Sequence, residues 1–313
     1  MDKSNNKIEV FAPATVANIS CGFDVLGLCL DSIGDKMIIS KKNKKGISIS
    51  KIKGFDLPID VRQNAAGMAA RALLKNIKTD YGFDIKIFKK IKPGSGIGSS
   101  AASSAGAVVG INELLGNPFT KNELIDFARE GERIACGSPI ADNVAPAILG
   151  GFTLVKSTNP LQVISLPSIY RLFVVILHPQ IEIKTADARA VLPEKILLKD
   201  AVTQWANVGS LVSSLYTKDY DLFALSLQDV VVEPYRSKLI PFFKETKEIA
   251  IQNGALGYGI SGSGPATFAI CKGRENAKII KEKLSEFYIA KKKIPFKIYI
   301  SKINRKGIKT KMI

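Results

Sequence analysis

Residues 92–106 read KPGSGIGSSAASSAG, and their chemistry is that of a cradle for an anion. Gly94, Gly96 and Gly98 alternate with Ser95 and Ile97, then Ser99 and Ser100 open a run of small residues. Glycine lets a loop take positive φ and brings bare backbone N–H groups close to a ligand. The stretch ASSAGAVVGINELLG that follows reads as a helix. A helix start offers orphan N–H groups and a dipole that both favour negative charge, so a phosphate is the natural guest. Two familiar loops are excluded by the letters. A Walker loop needs Lys then Ser or Thr after its last glycine, and here Ser99 follows Gly98. The dinucleotide fingerprint is G-x-G-x-x-G, whereas this spacing is G-x-G-x-G.

Other polar residues stand in apolar company. Asn18 and Asp24 lie within ANISCGFDVLGLCLD, and Asp142 and Asn143 within GSPIADNVAPAILGG. Burying such groups without partners is costly, so turn chemistry or a ligand must account for them. Thr120 and Glu123 form a capping box that opens a helix over 121–135. Glu132 falls near its end, where the dipole disfavours an acid; a cation and plain solvation both remain open there. Only nine of the forty-five basic residues are arginine, yet Arg189 and Arg236 sit in apolar or acidic surroundings. Thr185 precedes Arg189 by four and shares its face if the segment is helical. GISGSGPATFAI, at 259–270, is a second glycine-rich loop between apolar strands.

Several elements must position these groups. An alternating strand begins at residue 8 and breaks at Pro13, and segment 35–53 reads as two solvent-facing strands joined near Asn43–Gly46. A helix over 62–78 carries Asn64 in its first turn, and DIKIFKKIKP is a strand feeding the glycine loop. Gly150 and Gly151 lead into another strand, and RLFVVILHP at 171–179 reads as a strand buried on both faces. Helices are expected over 199–217, 219–230 and 275–287, with a last strand near KIYIS. The Ser-, Asn- and Pro-rich stretch 157–169 suggests a joint, dividing the chain into domains 1–160 and 161–313.

At 313 residues with 46% hydrophobic content, the chain can bury full cores. Its apolar runs are too short to span a bilayer, and MDKSNNKIEVFAP lacks an apolar leader, so a cytoplasmic location and no membrane partner are expected. The net charge of +17 comes mostly from scattered lysines, clustered at 41–45, 89–90 and 291–293. Base readers favour arginine, so a solvated lysine surface is expected and no nucleic-acid partner. Cys21, Cys29, Cys136 and Cys271 show no metal or redox spacing, and disulfides are not expected. A single histidine, His178, excludes a multi-His zinc site and reads as a buried or capping residue.

Taken together, APATVANISCGFDVLGLCLD, KPGSGIGSSAASSAG and GISGSGPATFAI resemble the three motifs of the GHMP kinase superfamily, in matching order and over essentially the whole chain. Within it, the first segment, DNVAPAILGG, TADARAVLP and EPYRSKLIP look most like the homoserine kinases. The resemblance implies a two-domain α+β fold: an N-terminal, ribosomal-protein-like domain with a left-handed βαβ unit, and a ferredoxin-like C-terminal α/β sandwich. It implies ATP-dependent phosphorylation of the L-homoserine side-chain hydroxyl, giving O-phospho-L-homoserine on the way to threonine. The loop Lys92, Pro93, Gly94, Ser95, Gly96, Ile97, Gly98, Ser99, Ser100, Ala101 and Ala102 would hold the ATP phosphates, with Asn64 near the adenine and Thr185 near the phosphate. Ser100 and Glu132 would bind Mg²⁺. Asn18, Asp24, Asn143 and Arg236 would surround homoserine, with Arg189 and the Gly262 backbone at its carboxylate. Asp24 and Asp142 are the candidate bases, completing a catalytic set with Asn143 and Arg189. A homodimer is expected from the same resemblance.

Two departures stand out. Ile97 replaces a common Leu, and Ile140 occupies the place, two before Asp142, where homoserine kinases often carry His. A mevalonate- or sugar-type kinase is the alternative inside the superfamily. A non-catalytic binding protein is the alternative outside catalysis, and it would predict loss of Glu132 or of the loop glycines.

Overall fold

The computed structural model describes residues 6–313, apart from the side chain of Cys136. Residues 1–5, part of the stretch read as lacking a leader, lie outside the described residues, as does any pairing of Cys136. Strands β1 (Lys7–Ala17), β2 (Leu26–Lys42) and β3 (Gly46–Lys53) are followed by helix α1 (Ala65–Lys75) and β4 (Gly82–Phe88). Helices α2 (Ser99–Leu114), α3 (Lys121–Cys136) and α4 (Val144–Leu149) come next, then β5 (Phe152–Thr158), β6 (Leu161–Leu166) and β7 (Leu172–Pro179). The remainder comprises α5 (Thr185–Ala190), α6 (Leu198–Thr217), α7 (Tyr220–Ser226), α8 (Glu233–Arg236) and α9 (Phe243–Gln252). It closes with β8 (Ala255–Ile260), β9 (Thr267–Lys272), α10 (Arg274–Lys291), β10 (Phe296–Lys302) and β11 (Lys309–Met312).

The first sheet runs β11-β1-β2-β4-β3, with β5 added to β2 and β6 to β5. β2 and β3 meet at the expected turn but do not form a hairpin. β4 lies between them, antiparallel to β2 and parallel to β3, so β3–α1–β4 is a crossover unit. Ser48 and Ser50 each donate to the Asp84 carboxylate at 2.6 Å, a polar tie between neighbouring strands that alternation alone cannot show. Helices α1, α2 and α3 cover one face of this sheet, burying Met37, Ile39, Ile85, Ile87 and the alanine-rich sides of α1 and α2.

The second sheet is antiparallel with order β10-β7-β9-β8. In chain order that is fourth, first, third, second, the ferredoxin-like arrangement expected. β7 alternates between two cores: Leu172, Val174 and Ile176 pack toward β1, β2, α6 and α7, while Val175 and Leu177 face α9 and α10. Burial on both faces explains its unbroken apolar run. The stretch 157–169 holds the β5–β6 hairpin of the first sheet, so that hairpin straddles residue 160, and β11 returns the end of the chain to β1. β11 had no counterpart in the sequence reading, since KTKM lacks a strand pattern; its pairing with the long edge of β1 makes it a strand.

Local chemistry sets the helix starts. The Thr120–Glu123 capping box forms, with Glu123 Oε2 accepting from Thr120 N at 2.8 Å. Asn64 caps α1 by accepting from Ala66 N at 3.0 Å, and Asp219 caps α7. No helix among the described residues is long and apolar enough to cross a membrane.

Candidate active site

The three glycine-marked segments converge on one cleft of about 670 Å³ between the two sheets' loops. The phosphate loop is fixed by backbone bonds to both neighbours: Thr15 N donates to Ile97 O at 3.3 Å and Ala266 N to Ser95 O at 3.1 Å. Its glycines have steric reasons. A Cβ on Gly98, at φ +70°, would lie 2.1 Å from Thr15 Oγ1, and one on Gly96, at φ +83°, would lie 2.4 Å from Ser261 O. Gly98 gives α2 no side-chain cap, so the helix presents its start to the cleft. Most of α2 is buried, which strengthens the field of its dipole.

Around that start lie charges the fold has buried. Lys89 donates to the Asp35 carboxylate, to Ser99 O at 2.8 Å and to Ser103 Oγ at 3.1 Å. Asp35 also accepts from Lys90 N and Ile91 N at 2.7 and 2.9 Å. This network ties β2 to the entry of the loop. Burial lowers the Lys89 pKa, against the opposing pull of Asp35. Ser100 Oγ donates to Glu132 Oε2 at 3.0 Å, and Glu132 is buried, so it is not a solvated surface acid. Burial pushes Glu132 up to about 7, opposed by the Ser100 hydrogen bond and by Lys89.

On the other wall, Arg189 pairs with Asp24 at 2.9 Å. Arg236 is buried; its Nε donates to Ala188 O at 2.8 Å and its Nη1 to Gly262 O at 3.0 Å. Phe23 neighbours both guanidiniums, its ring centroid 5.5 Å from Arg189 Cζ and 4.9 Å from Arg236 Cζ. Asn18 donates to Gly262 O at 3.0 Å and accepts from Asp24 N at 3.1 Å, inside a turn where Asn18, Ile19, Ser20 and Asp24 all have positive φ. Asn143 accepts from Thr15 Oγ1 at 2.7 Å. Asp142 is buried beside it, and burial, reinforced by Asp24 and Glu132, pushes its pKa up to about 8.

Family models match this architecture in both halves: the GHMP kinases N terminal domain over residues 64–151 and the GHMP kinases C terminal over 211–290. The homoserine kinase of Chlorobium phaeovibrioides is 46% identical over 310 residues, covering 95% of this chain and 97% of that protein. The chain belongs to the homoserine kinase family. The homoserine kinase of Methanococcus vannielii is 40% identical, over 90% of this chain and 93% of its own. The crystal structure of homoserine kinase from Cytophaga hutchinsonii superposes with a TM-score of 0.94 at 45% identity, covering 99% of both chains. L. major mevalonate kinase in complex with R-mevalonate, 16% identical with a TM-score of 0.70, shares the fold.

In this homoserine kinase family member, most expected site residues line the cleft: Asn18, Asp24, Asn64, Pro93 through Gly96, Gly98 through Ser100, Glu132, Asp142, Asn143, Thr185, Arg189, Arg236 and Gly262. Four expected loop residues do not. Ile97, Ala101 and Ala102 are buried among apolar side chains, and Lys92 reaches instead toward Gln180 O at 3.4 Å. The Gly262 N–H is occupied by Ala17 O at 3.3 Å, and its carbonyl takes Asn18 and Arg236. Asn64 spends its amide on Ala66 N and Pro58 O while lining the cleft.

Sequence reading missed Thr15, Phe23, Lys89, Glu182 and Lys184. Lys89 belongs to a lysine cluster expected at a solvated surface, but it is buried, and its partner Asp35 lies 54 residues away. Phe23 carried one signal, a lone aromatic beside Asp24 in a glycine-marked turn. His178 is buried as expected, with Gln180 Nε2 at 3.1 Å from its Nδ1, and burial drives its pKa down to about 4. Cys21, Cys29 and Cys271 are free and buried.

Proposed function

We propose that this cleft transfers the γ-phosphoryl group of ATP to the side-chain hydroxyl of L-homoserine, giving O-phospho-L-homoserine for threonine synthesis. The observation that carries the substrate assignment is the Asp24–Arg189 ion pair, backed by Arg236 and Asn18, opposite the open start of α2. An amino acid is a zwitterion. Its carboxylate takes Arg189 and its ammonium takes Asp24, so the substrate inserts into a pair that the protein otherwise closes on itself. A guanidinium fork matches a planar carboxylate better than a lysine would.

Phosphoryl transfer asks for positioning and charge neutralisation more than for covalent chemistry. The loop N–H groups and the α2 dipole face the phosphates and stabilise negative charge as it spreads. Ser100 and Glu132 suit Mg²⁺: both offer hard oxygen donors, and the ion commonly takes only one or two protein ligands plus substrate phosphates. When bound there, the ion supplies positive charge beside the phosphate oxygens. With a pKa near 8, Asp142 is mostly protonated at neutral pH, so Asp24 is the better acceptor for the hydroxyl proton. The protein acts in the cytoplasm as a homodimer, and the division into domains, expected at residue 160, falls instead past the β5–β6 hairpin, after Leu166.

A coupled assay of ADP release with L-homoserine, mevalonate and galactose tests the proposal. Turnover is expected with homoserine alone. Turnover with mevalonate or galactose instead would assign the cleft to another acceptor, and no ADP with any of them would leave it a binding protein.

A further inference from the structure

The turn that carries Asn18 and Asp24 is held in a conformation that L-residues avoid. Asn18, Ile19, Ser20 and Asp24 all have positive φ, and Ile19 is β-branched. Such backbone persists only where its surroundings over-determine it. On the cleft side, Asn18 donates to Gly262 O at 3.0 Å. The other tie comes from α6, where Gln204 Nε2 donates to Cys21 O at 2.8 Å.

Gln204 has a second grip. The same nitrogen donates to Asp229 Oδ1 at 3.0 Å, and Gln204 Oε1 accepts from Val230 N at 3.0 Å. Both amide donors and the amide oxygen are thereby engaged, which fixes the side chain in one orientation. Asp229 Oδ1 also accepts from Val231 N and Val232 N, both at 2.9 Å, and Oδ2 accepts from Glu233 N at 3.0 Å. These donors lead into α8, whose N-cap, Val232, makes no side-chain capping bond. The Asp229 carboxylate does that work from outside the helix. α8 carries Arg236, which reaches Gly262 O and also Ala188 O, one residue before Arg189. A single amide–carboxylate pair thus joins the turn bearing Asp24 to the helix bearing Arg236. Cys21, Gln204 and Asp229 are all absent from the cleft lining, so they act on it through the backbone.

We propose that Gln204 and Asp229 are positioning residues for the phosphoryl acceptor, a latch outside the cleft that sets Asp24 against Arg236. This rests on the assignment of that wall to homoserine. The phosphate loop hangs from Thr15 and Ala266 instead, so the latch governs one substrate and not the other.

Steady-state kinetics of the full chain, with homoserine and ATP varied separately, tests the latch. Gln204→Met keeps the length of the side chain and loses all three hydrogen bonds. The homoserine KM is expected to rise about 10-fold while the ATP KM stays within about twofold. Simple destabilisation would lower the active fraction, and with it kcat, without moving either KM. Asp229→Asn keeps the shape, and a similar rise is expected. In the double variant the two effects are not expected to add, because either change opens the same latch. Asn207, on the same helix, holds the segment before Asp229 by one bond to Gln228 O at 3.1 Å. Asn207→Ala is therefore the control, expected to lower the melting temperature but leave the homoserine KM unchanged. Circular dichroism checks the fold of each variant. An unchanged homoserine KM in Q204M or D229N, equal rises in both KM values, full additivity, or a matching rise in N207A overturns the proposal. A wild type that turns over mevalonate instead of homoserine defeats the acceptor assignment alone, and the latch is then read on the mevalonate KM.

Discussion

The two walls of the cleft are built from different materials. The phosphate wall is backbone: glycine turns held by main-chain bonds to Thr15 and Ala266, and a helix start seated on the buried Lys89–Asp35 pair. The acceptor wall is side chain: Asn18, Asp24, Arg189 and Arg236, reaching across from both halves of the fold. A backbone wall holds the same shape for any nucleoside triphosphate and draws its charge from the fold. A side-chain wall can be retuned one residue at a time, and here Asp24 and Arg189 satisfy each other's charge. Damage to the two walls should therefore separate, the first lowering turnover and the second weakening homoserine.

The largest separation is expected at Gly98. Its positive φ and the 2.1 Å approach to Thr15 Oγ1 leave no room for a side chain, so Gly98→Ala must shift the loop's N–H groups. Loss of one such preorganised donor costs about 100- to 1000-fold in turnover, and kcat is expected to fall by that much. Homoserine binding, measured by equilibrium titration, is expected to stay within about threefold, well short of one tenfold step in affinity. A large fall in homoserine affinity would show that the two walls are one unit.

The converse change is Arg189→Leu. It removes the fork and leaves Asp24 without its partner, and hydrogen bonds to charged groups are worth about 1.5–3 kcal/mol. The homoserine KM is expected to rise roughly 10- to 100-fold, with the ATP KM unchanged. An unchanged homoserine KM would remove Arg189 from the carboxylate.

The same contrast explains what the sequence made legible. The phosphate wall is contiguous, so fifteen letters from Lys92 to Gly106 were enough to locate it. The acceptor wall is spread from Asn18 to Gly262; scarce arginine and polar pairs in apolar segments drew attention to some of its members, but only the resemblance to homoserine kinases grouped them. What stayed hidden was set by tertiary packing. Lys89 sits in a lysine-rich stretch, and its burial depends on Asp35 arriving from a neighbouring strand. The inward turn of Ile97, Ala101 and Ala102 likewise follows from packing against the sheets, since the motif gives residue types and not directions. The ferredoxin-like sheet followed from the resemblance, whereas the insertion of β4 between β2 and β3 had no local signature.

A smaller effect sharpens the acceptor side. Phe23 has two guanidiniums close to its ring, those of Arg189 and Arg236. Such contacts contribute about 0.5–2 kcal/mol, so Phe23→Leu is expected to raise the homoserine KM about 3- to 30-fold with little change in kcat. Restoration by Phe23→Tyr, which keeps the ring face, would separate stacking from simple packing. A tyrosine variant as weak as the leucine variant would make Phe23 a packing residue only.

The last effect is read on stability rather than on turnover or KM, and it falls where the two walls meet. Asp142 is buried with Asp24 and Glu132 nearby, and its pKa rises to about 8 from an ordinary 3.8. A carboxyl whose folded pKa is raised binds its proton more tightly in the folded state. Its contribution is therefore most favourable below the unfolded pKa and is lost as pH rises toward the folded one. Wild-type melting temperature should then fall between pH 5 and about 8 more steeply than that of Asp142→Asn, which cannot ionise and keeps similar shape. Thermal melts across that range check the slope, and the two proteins are expected to differ by several degrees at the alkaline end. Parallel slopes would mean that Asp142 stays ionised in the fold, and would return it to candidacy as the base that Asp24 is here assigned to be.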